Sequence, residues 1–157
     1  MPHIHELYDF VVSAFIVCRG RVLLVRHRSY DRWLPIGGHI ELDEDPEQAL
    51  YREIREECGL KVKILASKPP VAHPGVKPMP TPSYVDVHRI SGKHRHIAFV
   101  YFASSAKTNV RLHVKEHEAF RWFSPAEIGA RRFGVLPSIR FYCRKALAAA
   151  GRRPRSR

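Results

Sequence analysis

The chain has 157 residues, 45% of them apolar, which is enough to bury the core of one domain without covalent staples and too apolar for disorder over most of its length. Its three cysteines, Cys18, Cys58 and Cys143, are odd in number and widely spaced, which argues against a disulfide framework and against a cysteine zinc site. The net charge of +12 is unevenly placed: Gly38–Leu60 carries eight acids against two bases, so that window is −6 and the remainder of the chain is +18. Such an island is either an exposed acidic helix balanced by its surroundings, or a collector of divalent cations among bases that attract polyanions. Composition does not choose between them.

Met1–Glu6 is polar and no secretory cleavage site follows it. Tyr8–Cys18 and Arg21–Arg28, rich in Val, Leu, Ile and Phe, are predicted strands joined as a hairpin at Arg19-Gly20. The longest apolar run, Phe10–Cys18, falls far short of the about 20 residues a membrane helix needs, so the expected setting is the cytoplasm with no membrane partner. Asp31–Leu42, with Pro35, Gly37 and Gly38, reads as a loop, and Trp33 as a packing residue beneath it. A helix then starts with Asp45 as N-cap, Pro46 in the first helical position and Gln48 closing a capping box. It runs to about Cys58, with Gly59 as its stop, and Leu50, Ile54 and Cys58 form the stripe to be buried.

Lys61–Ser67 is a predicted strand. Lys68–Pro82 holds six prolines and reads as a surface loop. Tyr84–Ile90 and Arg95–Ala103 form a predicted second hairpin around Ser91-Gly92-Lys93. Glu118–Phe123 is a short strand leading into the capping box Ser124-Pro125-Ala126-Glu127 and a helix that ends near Gly129. Pro137–Ala150 is an amphipathic helix stopped by Gly151. Together these give one domain over residues 1–151, of α+β class, with helices on both sides of a mixed sheet. Arg152–Arg157 is expected to be a disordered basic tail.

The informative stretch is Arg52-Glu53-Ile54-Arg55-Glu56-Glu57. On a helix Glu53, Glu56 and Glu57 fall within an arc of roughly 100°, where like charges cost a few tenths of a kcal/mol per pair. A sequence carrying that cost either offsets it with nearby bases, as an Arg52–Glu56 pair would, or uses the acids to hold cations. The preceding Gly37-Gly38 leaves backbone carbonyls open to close approach. Hard oxygen donors of this kind suit Mg²⁺ or Mn²⁺ rather than zinc.

From Gly38 onward the residues follow the spacing G-x5-E-x7-R-E-U-x-E-E-x-G-U, where U is apolar: Gly38, Glu44, Arg52-Glu53-Ile54, Glu56-Glu57 and Gly59-Leu60. This resembles the Nudix box with every specified position met, and Trp33–Gly37 is similar to the usual approach to it. Glu116–Pro125 resembles, more weakly, the later strand and helix of that family. The resemblance implies a Nudix-like α/β/α sandwich, a mixed β-sheet flanked by helices, and a Mg²⁺-dependent hydrolase of a nucleoside diphosphate linked to another group. It implies Glu53, Glu56 and Glu57 as metal ligands with the Gly38 carbonyl as a further one, and Glu53 as, or orienting, the base for the attacking water. Arg52 would hold the glutamates in orientation, Glu44 would support the loop–helix junction or an outer-shell metal water, and a downstream glutamate, Glu116 in preference to Glu118, would complete the site.

Substrate contacts are expected from Arg26, Arg28 and Arg32, which flank the box, and from Tyr84, His88 and His96 lining a base or ribose pocket. The histidines around the second hairpin lack an H-x3-H and cysteine partnership, so a zinc site is not the expectation there. The expected substrates are small nucleotides: ordinary or oxidised nucleoside triphosphates, dinucleoside polyphosphates, nucleotide sugars or ADP-ribose. RNA 5′-end hydrolysis, which the +18 remainder would favour, is the less favoured alternative. A non-catalytic nucleotide- or RNA-binding module on the same fold stands behind both, since a pure binder has no need of the glutamate set. The chain is expected to act as a monomer or homodimer.

Overall fold

A computed structural model describes residues 7–151, and the Arg152–Arg157 tail lies outside the described residues. The two long central strands are β1 (Tyr8–Cys18) and β7 (His94–Ser105), paired in parallel from Tyr8↔Arg95 to Val17↔Ser104. β1 gives its other edge to two strands in turn, to β4 (Ile36–His39) along Val11–Ala14 and to β2 (Arg21–His27) at Val17–Cys18. β7 likewise shares its outer edge between β6 (Tyr84–Ser91) and the short β5 (Val62–Ile64). β2 carries β3 (Arg32–Leu34) and β8 (His117–Phe123), completing a mixed, open sheet of eight strands.

The region read as a loop over Asp31–Leu42 thus contains two strands. Three- and four-residue segments are too short to show a period, and they exist because the edges of β2 and β1 offer unpaired backbone groups to them. Pro35 stands between them, where its missing N–H costs no ladder bond. The strand read over Lys61–Ser67 shrinks to β5, while β6 and β7 extend the second hairpin by one residue or more at their ends.

Alternation along β1 sorts the core into two layers. Val11, Phe15 and Val17 face one way, and Val12, Ala14 and Ile16 the other. Against the second face lies α1 (Pro46–Glu57), burying Ala49, Leu50 and Ile54 with Ile36 and Tyr101. Against the first lie α2 (Pro125–Gly129) and α3 (Pro137–Gly151), burying Ile128, Cys143 and Ala146 with Phe123 and Trp33. Leu50 and Ile54 are fully buried, so truncating either to alanine removes about 2–5 kcal/mol. Trp33 packs edge-on against Phe123 at 5.0 Å, in the core on the α3 side. All three cysteines are free and buried.

The expected start signals form as read. Asp45 accepts from the backbone N–H groups of Glu47 and Gln48, both at 2.9 Å, and the Gln48 side chain accepts from Asp45 N at 2.9 Å. Ser124 and Glu127 make the equivalent box on α2. α1 is therefore fixed in both start and face, and with it the direction of its glutamates.

Candidate active site

The two glycines of β4 pass between β1 and α1 where no side chain fits. A Cβ on Gly37 would strike the Val12 carbonyl oxygen, and one on Gly38 would fall on the Glu53 carboxylate. The close approach brings Gly37 N–H to Glu57 Oε2 at 3.0 Å, so the backbone of β4 orients one glutamate while Gly38 makes room for another.

Arg52 ties the cluster together. Its Nε and Nη2 donate to the two oxygens of Glu44 at 2.7 and 2.9 Å, a bidentate pair, and Nη2 also donates to the His39 carbonyl at 2.9 Å. Its Nη1 donates to Glu53 at 2.7 Å and reaches Glu56 at 3.4 Å. The Glu44 hydrogen bonds hold the guanidinium well above its ordinary pKa against the pull of burial, and Arg52 in turn holds Glu44 below the usual carboxylate range. Burial pushes Glu53 up to about 7; Arg52 opposes this, and the charges of Glu57 and Glu56 add to it. Glu53 and Glu57 are buried, whereas Glu56 is exposed.

A partner that the sequence reading did not include is His117. Its Nε2 lies 2.9 Å from Glu57 Oε1, with both side chains buried, while its Nδ1 has no hydrogen-bond partner among the described residues. No periodic signal links residues 60 apart; the pairing arises because the segment before β8 runs across the end of α1, with Arg111 and His113 N–H groups donating to the Cys58 and Glu57 carbonyls. Glu57, Glu116 and His117 present ligand atoms within 4.8 Å of one another. Glu116 and Glu118 do not share a face, as simple alternation would have them. The β2–β8 register steps from His27↔His117 to Arg26↔Ala119, so Glu118 is a bulge residue, and it pairs with Arg26 at 2.6 Å.

A cavity of about 290 Å³ opens onto this cluster, lined by Gly38, Glu57, Glu116 and His117 together with His88 and His96. His96 is held down to about 4 by burial and by the neighbouring His39, His88 and His94, so its ring is neutral near pH 7. A second cavity of about 520 Å³ adjoins the first, sharing Ser13, Tyr30, Leu34 and His88 with it, and lies between the sheet and α3. Arg32 lines this second cavity, as does the pair formed by Tyr142 Oη donating to Asp86 at 2.6 Å. Burial, with Asp86 beside it, pushes the Tyr142 hydroxyl up to about 12.

The remaining candidates lie elsewhere. Arg26 is held by Asp31 and Glu118, Arg28 donates to the Val114 carbonyl at 3.0 Å, and Tyr84 packs against Phe141 and Tyr142 of α3. Two buried carboxylates, an exposed third and a backbone cradle that a Cβ would fill form an all-oxygen donor set, which fits a hard divalent cation. No helix among the described residues is long and apolar enough to cross a membrane.

The family model described as NUDIX domain matches residues 7–144. A CTP pyrophosphohydrolase from Escherichia coli is 30% identical over 134 residues, covering 82% of this chain and 83% of its own. An RNA pyrophosphohydrolase from Pseudomonas putida is 50% identical over 50 residues, about a third of either chain. Among solved structures, a hydrolase of the NUDIX family from Clostridium perfringens superposes with a TM-score of 0.78 at 31% identity, covering 90% of this chain and 97% of that one.

Proposed function

The chain belongs to the NUDIX domain family and is a Nudix pyrophosphohydrolase, and from that premise we propose that its substrate is a nucleoside 5′-triphosphate, cleaved by water to the monophosphate and pyrophosphate. The observation that carries this reading is the continuity of the glutamate-lined cavity with the second cavity beside α3. The first is lined by carboxylates and holds the polyphosphate with its cations. The second has the size of a small-molecule site and mostly apolar walls, with Arg32, His88 and Arg89 among its lining and the Asp86–Tyr142 pair to hydrogen-bond a base. The relative that acts on CTP matches along most of its length, whereas the match to the RNA-acting relative spans about a third of either chain.

Glu53, Glu56 and Glu57, with the Gly38 carbonyl, would hold the Mg²⁺ ions, and Mn²⁺ would serve the same donors. Such ions neutralise the diphosphate and lower the pKa of a bound water. The protein's own part is positioning. Arg52 keeps Glu53 and Glu56 aimed together, and Gly37 N–H and His117 fix Glu57 from two sides. Glu53 acts as, or orients, the base for the attacking water, and Glu116 completes the site across the cavity. Arg32 stands at the second cavity, on the nucleoside side, His88 lines both cavities between phosphate and base, and His96 lines the first.

The test is turnover of purified protein on nucleoside triphosphates, dinucleoside polyphosphates, nucleotide sugars, ADP-ribose and a 5′-triphosphorylated RNA, with Mg²⁺ and with EDTA. Pyrophosphate release from a nucleoside triphosphate, abolished by EDTA, is the expected result. Mg²⁺-dependent turnover confined to the RNA would replace this reading with 5′-end hydrolysis.

A further inference from the structure

Four neighbouring strands bring a second cluster of metal-ligating side chains to one face of the sheet. Asp9 of β1 and His96 of β7 are direct register partners, and His96 is in turn the partner of His88 on β6. Paired residues share a face, so the row Asp9–His96–His88 projects to the same side. His94 lies two residues before His96 on the same strand, and His39 of β4 is the partner of Val11, two residues after Asp9. Register alone therefore collects one carboxylate and four imidazoles. The contacts agree: Asp9 Oδ2 lies 3.2 Å from His94 Nε2 and 3.3 Å from His39 Nε2, and the His96 ring centroid lies 4.9 Å from that of His39 and 5.3 Å from that of His94.

We propose that Asp9, His94 and His96, joined by His39, form a second cation site that takes a transition metal ion of the zinc class. The ligand atoms of Asp9, His94 and His96 all lie within 4.8 Å of one another. Zinc bonds of about 2.0–2.1 Å in a tetrahedron place donors about 3.3 Å apart, the separation that Asp9 already keeps from His94 and His39. Donor chemistry separates this site from the glutamate helix. Imidazole nitrogen selects zinc, cobalt or nickel over magnesium, whereas the all-oxygen set around Glu53 does the reverse. An ion at Asp9, His94 and His96 would clamp the ends of β1, β4 and β7 together next to Gly38 and beside His96 on the cavity wall.

The experiment is titration of the untagged full chain with Co²⁺ and Zn²⁺ at saturating Mg²⁺, read by calorimetry and by visible absorption of the cobalt form. One ion per chain should bind with micromolar or tighter affinity and give the intense absorption of four-coordinate cobalt. Asp9→Asn and His94→Gln should each weaken binding at least tenfold, while Glu57→Gln leaves it unchanged. Unaltered binding in both Asp9→Asn and His94→Gln would overturn the proposal. Loss of binding in Glu57→Gln would do so as well, because the ion would then sit among Glu57, Glu116 and His117. Should a variant misfold, the imidazole nitrogen resonances of the unaltered protein decide: Zn²⁺ must shift His94 and His96 and leave His117 in place, and the opposite pattern refutes the site.

Discussion

Replacing Glu53 by glutamine tests the claim that the carboxylate cluster is held under electrostatic cost. Burial raises this carboxyl from its ordinary 4.5 to about 7, so the native state binds its proton more tightly than the unfolded chain does. The stability that this proton confers is fully present below pH 4.5 and is lost as pH rises through 7, where both states are ionised. Carrying the difference through gives a penalty of about 3 kcal/mol at pH 8 in the metal-free protein. Glutamine keeps the shape and an oxygen to accept from Arg52, but it has no charge to bury. Without metal, Glu53→Gln should therefore be the more stable protein at pH 8 by up to about 3 kcal/mol, roughly 6–12 °C in Tm for a chain of this size. At pH 4 the two should unfold alike. Saturating Mg²⁺ at pH 8 should close the gap, because the wild type gains about 2.7 kcal/mol when the cation stands at a hundredfold its Kd and the variant loses a ligand. The assay is urea unfolding at both pH values in EDTA and in Mg²⁺. A variant less stable than wild type at pH 8 in EDTA, or a difference independent of pH, would refute the reasoning.

Gly38→Ala should lower kcat by two orders of magnitude or more while leaving secondary structure intact by circular dichroism, since its Cβ displaces the Glu53 carboxylate rather than backbone. His117→Leu should cost about 1–3 kcal/mol in urea unfolding and weaken Mg²⁺ binding by calorimetry, because the buried Glu57 loses its side-chain hydrogen bond. Glu116→Gln should reduce kcat at least tenfold, and Glu118→Gln, which only breaks an exposed pair with Arg26, should stay within about twofold; the reverse order in steady-state rates would exchange their roles. With +18 outside the box, kcat/KM should fall across a KCl series while kcat holds steady, and a flat kcat/KM would exclude electrostatic steering.

What the sequence determined by itself was whatever depends on neighbours within a turn or two. Asp45, Pro46 and Gln48 set the start of α1, and the 3.6-residue period then places Glu53, Glu56 and Glu57 on one side and Leu50 and Ile54 on the other. The two-residue period of β1 likewise divided Val11, Phe15 and Val17 from Val12, Ala14 and Ile16, which amounts to specifying a layer on each face. Tertiary structure decided whatever depends on which strand lies beside which. β3 and β4 have no period long enough to read and form only on edges supplied by β2 and β1. Glu116 and Glu118 look equivalent by alternation, and a single bulge turns one toward Glu57 and the other toward Arg26. His117 meets Glu57 across 60 residues, and Asp9 meets His39 and His94 only through sheet register. Local backbone geometry is repeated along the chain and so leaves a pattern in it, whereas register between distant strands is fixed by packing the whole sheet and leaves none.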